Sequence, residues 1–130
     1  MAFNVLVVDD SSVMRAMIIK TLRMCEVDIG EIHQAGNGKE GLGTLQENWI
    51  DLVIVDINMP IMSGLEMIGQ MEADPLTEKI KIIIISTEGN NPRVEGLKEK
   101  GVRFIHKPFT PETIRDVIFD VMETSNEQQT

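Results

Sequence analysis

VLVVDD, residues 5–10, decides how the rest of the chain is read. Four apolar residues in unbroken succession fit a strand covered on both faces, because a half-exposed strand would alternate apolar and polar positions. The period then changes. Val13, Met14, Met17, Ile18, Leu22 and Cys25 recur every three or four residues, one apolar stripe of a helix that Ser11 or Ser12 can cap. A buried strand running straight into an amphipathic helix is the opening of an α/β unit, and two adjacent aspartates mark the junction.

The design repeats along the chain. DLVIVD at 51–56, KIIIIS at 81–86 and VRFIH at 102–106 read as strands, with IGEIHQA at 29–35 a weaker one. Between them, GNGKEGLGTLQENW places Leu42, Leu45 and Trp49 at helical spacing despite glycines that cost helix stability. SGLEMIGQMEAD at 63–74 opens with Ser63 and Glu66 in capping-box spacing and must stop before Pro75. NNPRVEGLKEKG offers Asn91 as a cap and Pro92 in the first turn. TPETIRDVIFDVMET offers Thr110 and Pro111 likewise, with Ile114, Val117, Ile118 and Val121 facing inward. Five strands alternating with five helices predict a doubly wound, five-stranded parallel sheet with right-handed crossovers and helices on both faces. We expect one domain over residues 1–123 and a polar C-terminal tail over 124–130.

Bulk properties narrow the function. At 130 residues the chain can bury roughly two-thirds of its unfolded surface. Its apolar runs are too short to cross a bilayer, and MAFNVLVV lacks the basic start and cleavage site of a signal peptide, so the expected location is the cytoplasm. A formal charge of −9 opposes a polyanionic backbone, so no direct DNA binding is expected. Cys25, the only cysteine, allows neither an internal disulfide nor a thiolate metal cluster and is expected in the core. The nine methionines read as packing, and His33 and His106 as structural.

The chemistry lies just beyond the apolar runs. In an open parallel sheet the carboxyl ends of the strands face one edge, which brings together Asp9 and Asp10, Asp56, Ser86 and Thr87, and Lys107. Any one of these alone has a bland reading: a solvated turn, a surface lysine, a buried hydroxyl. Their shared edge is what gives them force. Three carboxylates in one pocket repel unless a cation lies among them, and oxygen-only ligands at a shallow site favour a hard ion such as Mg²⁺. A lysine and a hydroxyl opposite that cluster suit a phosphoryl group bridged to the ion. One carboxylate would then be the nucleophile, and Asp56, single and central, is the best placed.

The order VLVVDD, DLVIVDINMPIMSGLE, IIIISTEG and FIHKPFT resembles the receiver domain of two-component response regulators, in particular the CheY-like single-domain kind of chemotaxis. The resemblance covers residues 3 to about 123. It implies the flavodoxin-like strand order 2-1-3-4-5 and phosphorylation of Asp56 by a histidine kinase or phosphotransfer protein. It further implies Mg²⁺ held directly by Asp10 and Asp56, by Asp9 through water, and by the main-chain carbonyl of Asn58. Ser86 matches the switch hydroxyl, Lys107 the phosphoryl-binding lysine, and Phe104 the aromatic switch position, and a cis bond is implied between Lys107 and Pro108. Phosphorylation would reshape the surface of the fourth helix, fifth strand and fifth helix, so that output passes by protein binding to a downstream target, with a flagellar motor switch among the candidates. The protein would then be a monomer or weak dimer.

The chain departs from the family pattern in two places. Ser63 stands where Asp or Asn is commoner. Thr87 replaces a small residue, where its branched side chain would narrow access to the phosphoryl group, while Asn58, Thr87 and Glu88 would tune how long the phosphate lasts. Beyond its own phosphoryl transfer and autodephosphorylation no enzyme activity is expected. Two rivals stand beside this reading. A Mg²⁺-dependent phosphatase passing through an aspartyl phosphate would need a second acid two residues after the nucleophile, where Asn58 stands. A degenerate receiver binding its partners constitutively would not need the complete acid set.

Overall fold

The computed structural model describes residues 2–87 and 92–128. Strands β1 (Phe3–Val8), β2 (Ile29–Ala35), β3 (Leu52–Asp56), β4 (Lys81–Ser86) and β5 (Arg103–His106) alternate with helices α1 (Ser12–Met24), α2 (Gly38–Glu47), α3 (Gly64–Ala73), α4 (Pro92–Glu99) and α5 (Pro111–Gln128). All strand pairings are parallel, in the order β2-β1-β3-β4-β5, as expected. β2 and β3 lie on opposite sides of β1, so the winding reverses at the ends of β1 and β3, the place where sheets of this kind bind ligands.

The unbroken apolar runs are buried on both faces because a helical layer covers each. On one side Leu6, Val8, Val53, Val55, Ile82 and Ile84 pack with Met67, Ile68 and Met71 of α3 and with Val94 and Leu97 of α4. On the other, Val5, Val7, Ile54, Ile83 and Ile85 meet Ile18 and Leu22 of α1 and Ile114, Ile118 and Val121 of α5. Burying a side chain of this size contributes about 1.5–3 kcal/mol, so β1, β3 and β4 form the most strongly held part of the fold. Register follows from that burial, and it aligns Val8 with Val55 and Asp56 with Ile85.

Caps set the helix starts. Ser11 Oγ accepts from Met14 N–H, Ser63 Oγ from Glu66 N–H, and Thr110 Oγ1 from Thr113 N–H. The start of α2 is held by Asn37, whose buried side chain accepts from Glu40 N–H at 3.0 Å. The expected cap Asn91 lies outside the described residues.

Three packing expectations need correction. Trp49 does not face inward from α2: the helix ends at Glu47, Asn48 caps it in extended backbone, and the indole is 79% exposed. Val13 sits on the outer side of the first turn of α1, and Cys25, the residue capping that helix, is only half-buried. The glycines of α2 are not simply a cost, since a Cβ on Gly41 would lie 2.9 Å from Met67 Cε, and its absence lets α2 settle against α3. α5 continues to Gln128, past Thr124, where the sequence places its end. Among the described residues no helix is long and apolar enough to cross a membrane.

Candidate functional site

Each strand of the central trio delivers a polar group as it leaves the sheet. β1 ends at Val8 and gives Asp9 and Asp10, β3 ends on Asp56, and β4 ends on Ser86. β5 ends at His106 and is followed by Lys107, whose bond to Pro108 is cis, as the resemblance implies. Lys107 N–H donates to the carbonyl of Ser86 at 2.9 Å, which keeps the lysine beside the cleft after the ladder ends.

The three carboxylates converge: one oxygen from each of Asp9, Asp10 and Asp56 lies within 4.8 Å of the others. Asp9 and Asp56 are buried, while Asp10 stands at the open lip. Lys107 Nζ bridges the two buried acids, 3.4 Å from Asp9 Oδ2 and 3.3 Å from Asp56 Oδ2. One ammonium against three carboxylates leaves two negative charges in a half-closed pocket, the charge a divalent cation would neutralise. The donor set is all oxygen with one ligand facing solvent, and therefore fits a small hard ion that keeps part of its water.

Asp56 bears the cost of this arrangement. Burial pushes its carboxyl above the usual carboxylate range, Lys107 opposes that rise, and the neighbouring charge of Asp9 adds to it. The N–H of Asn58 reaches Asp56 Oδ1 only at 3.4 Å, a weak bond. Such a carboxylate is held by the fold only through long bonds and is open to a ligand that brings positive charge. Asp9 is better held: its Oδ1 accepts from Ser11 N–H at 2.9 Å, and its carbonyl accepts from Arg15 Nη1.

The connection after β3 shapes the floor. Gly64 N–H donates to the carbonyl of Ile57, and a Cβ on Gly64 would lie 2.0 Å from the carbonyl oxygen of Asp56, so only glycine can stand there. Between them Pro60, Ile61 and Met62 form a tight turn closed by Met62 N–H to Pro60 C=O at 2.7 Å, with Ile61 at φ 69°. A β-branched residue in that left-handed region is strained.

The remaining expected residues fall into place unequally. Ser86 is fully buried beside Asp56's strand, and Thr87 is exposed at the lip. Glu88 lies outside the described residues. Phe104 pairs in register with Ile84, and Ser86 pairs with His106, so Phe104 sits one step down the same face from the hydroxyl. Its half-buried ring packs on the α3/α4 side of the core, meets the His106 ring edge-on at 5.7 Å and lies 5.1 Å below Lys98 Nζ. Arg15 and Gln34, linked at 3.0 Å, and Gly64 belong to the surroundings of the site without having been singled out in the sequence. Only Gly64 carried a signal, as the residue opening a helix close behind a strand-end acid.

The family described as the response regulator receiver domain matches residues 5–119. A chemotaxis protein CheY homolog of Campylobacter jejuni is 37% identical over 125 residues, 95% of this chain and 95% of that protein. Chemotaxis protein CheY1 of Helicobacter pylori is 36% identical over 125 residues, 95% of this chain and 99% of its own length. Among solved structures, chemotaxis protein CheY4 of Vibrio cholerae superposes with a TM-score of 0.80 at 30% identity, covering 93% of this chain and 99% of that one.

Proposed function

This chain belongs to the response regulator receiver domain family, and from that premise we propose that Asp56 is its phosphoacceptor and that Asp9, Asp10, Asp56 and the carbonyl of Asn58 hold Mg²⁺. Receivers of this kind act in two-component signalling with kinases and downstream targets. The observation that carries the site assignment is the convergence of three strand-end carboxylates, the two buried ones bridged by a single lysine.

The chemistry follows from the positions. A carboxylate oxygen of Asp56 attacks the phosphorus of a phosphohistidine, an O–P bond forms, the P–N bond breaks, and its electron pair leaves on the imidazole nitrogen. Magnesium, when bound, supplies positive charge to the phosphoryl oxygens and to the acids around them. Lys107, already 3.3 Å from Asp56 Oδ2, shifts its ammonium onto a phosphoryl oxygen as the carboxylate charge is consumed. Ser86 offers its hydroxyl to another phosphoryl oxygen. Phe104, on the same face of the neighbouring strand, follows it inward and alters the surface of α4, β5 and α5 to which a target binds. Thr87 and Asn58 at the lip, with Glu88, govern how readily water reaches the acyl phosphate and so set its lifetime.

The protein performs only its own phosphorylation and dephosphorylation, works in the cytoplasm as a monomer or weak dimer, and signals in a chemotaxis-type pathway. Its receiver unit is residues 1–123, with 124–130 a polar extension. The phosphatase rival fails on Asn58, whose exposed amide cannot protonate a leaving group. The test is phosphorylation with acetyl phosphate and Mg²⁺, followed by borohydride trapping and peptide mapping. The expected result is one modified residue, Asp56, with no label in Asp56→Asn. Absence of label in the wild type with Mg²⁺ present overturns the proposal.

A further inference from the structure

This inference rests on the acid cluster being an ion site, and concerns how that site is held in shape. Asp9 is gripped through its main chain as well as its side chain. Its N–H donates to the carbonyl of Ala35 at the end of β2, and its carbonyl accepts from Arg15 Nη1 on the first turn of α1. The same guanidinium donates through Nε to Gln34 Oε1 at 3.0 Å, on the edge strand β2. Asp9 lies just past the last residue of β1, where the sheet ladder stops supplying partners, so its carbonyl needs a donor from elsewhere. A planar guanidinium makes two directed bonds at a fixed angle, which an ammonium cannot do.

We propose that Arg15 is a positioning residue for the ion site: aimed by Gln34, it fixes the main chain of Asp9 and so the direction in which Asp9 and Asp10 present their oxygens. The competing reading is purely electrostatic. A guanidinium near three acids discourages a second cation, and on charge alone Arg15 weakens ion binding. The two effects have opposite signs. Both described side-chain bonds of Arg15 go to a main-chain carbonyl and to an amide, not to a carboxylate of the cluster, so its charge acts at longer range and is screened at the open lip. Outer partners that orient a ligand are worth about tenfold or more in metal affinity. Orientation therefore outweighs repulsion here.

The experiment is a MgCl₂ titration by calorimetry or NMR of the full chain as wild type, Arg15→Gln, Arg15→Lys and Gln34→Leu, with thermal melts in EDTA alongside. Arg15→Gln is expected to weaken Mg²⁺ binding about tenfold. Arg15→Lys, which keeps the charge but cannot hold both partners, is also expected to weaken it. Gln34→Leu, an exposed change that folds even if an Arg15 variant does not, is expected to lose affinity in the same direction, to a smaller extent, with its EDTA melt unchanged. Tighter or unaltered binding in Arg15→Gln, or wild-type binding in Arg15→Lys, overturns the inference, as does a set of variants whose melts fall while their affinities stay put. A wild type that binds no Mg²⁺ overturns the ion-site reading and this inference with it.

Discussion

β3 has an aspartate at each end, and the two are treated in opposite ways. Asp51, just before the strand, accepts from Asn4 N–H at 2.8 Å and from Trp49 Nε1 at 3.1 Å. Asn4 in turn donates from its amide to Trp49 C=O and accepts from Glu31 N–H, so the amino rim of the sheet is a closed polar latch. Asp56, at the other end, has one long N–H contact and a lysine shared with a second acid, and its carboxyl titrates high. The same side chain closes structure through short bonds at one rim and is held only by long ones at the other. In this sheet, excess negative charge and backbone strain gather at the carboxyl rim, where a ligand can neutralise the first.

The severest way to break the contrast is to crowd the carboxyl rim. Gly64→Ala would put a Cβ 2.0 Å from the main-chain oxygen of Asp56, and backbone cannot step aside as a flexible side chain does. We expect a loss of more than about 3 kcal/mol in urea unfolding, with ion binding abolished in whatever folds. The matching cut at the amino rim is Asp51→Ala, which takes the acceptor from the part-buried Asn4 N–H and frees the exposed Trp49 indole. It should cost about 2 kcal/mol and shift Trp49 emission while leaving Mg²⁺ affinity unchanged. If Asp51→Ala weakened ion binding as much as Gly64→Ala, the two rims would not be independent.

These cases also divide what could be read in the sequence from what could not. β1, β3 and β4 and the acids at their ends were legible because burial on both faces imposes a composition that solvated segments do not share. Their convergence then followed from topology. The latch was not legible: Asn4 and Asp51 meet only because β1 and β3 are neighbours, and nothing local marks either residue. Arg15 and Gln34, nineteen residues apart, carry no local mark for the same reason. Trp49 was misplaced because helical spacing continues on paper after Asn48 has ended the helix. Periodicity reports which faces are apolar, whereas the side-chain bonds that orient a site depend on which strands lie side by side.

Neutralising the weakly held acid sharpens the comparison from the other direction. Asp56→Asn removes a carboxylate that burial and Asp9 both disfavour, so without metal it should stabilise the fold by about 1 kcal/mol while abolishing phosphorylation. The pH dependence has a definite sign. A folded-state pKa raised above the unfolded value means that the native protein binds more protons over that interval, so its stability falls as pH climbs from the usual aspartate range through the raised value. Asp56→Asn should flatten that part of the profile, as measured by urea midpoints in EDTA at successive pH values. Mg²⁺ at ten times its dissociation constant should restore about 1.4 kcal/mol to the wild type at neutral pH and little to the variant.

The smallest effect expected is at Ile61, and it asks whether strain at the carboxyl rim belongs to the site or only adjoins it. The side chain is 77% exposed, so it contributes little burial, yet its backbone sits at φ 69°, where a β-branched residue is disfavoured. Asparagine tolerates that conformation without the unfolded-state entropy that glycine would add. Ile61→Asn should therefore stabilise the protein by about 0.5–1 kcal/mol in urea unfolding. The turn itself is closed by a main-chain bond from Met62 N–H to Pro60 C=O, which the substitution leaves intact, so Mg²⁺ affinity should not change. A gain in stability accompanied by weaker ion binding would mean that the strain is transmitted along the five residues back to Asp56 and holds the carbonyl of Asn58 in place. A gain with unchanged binding would confine the function of this rim to its charges.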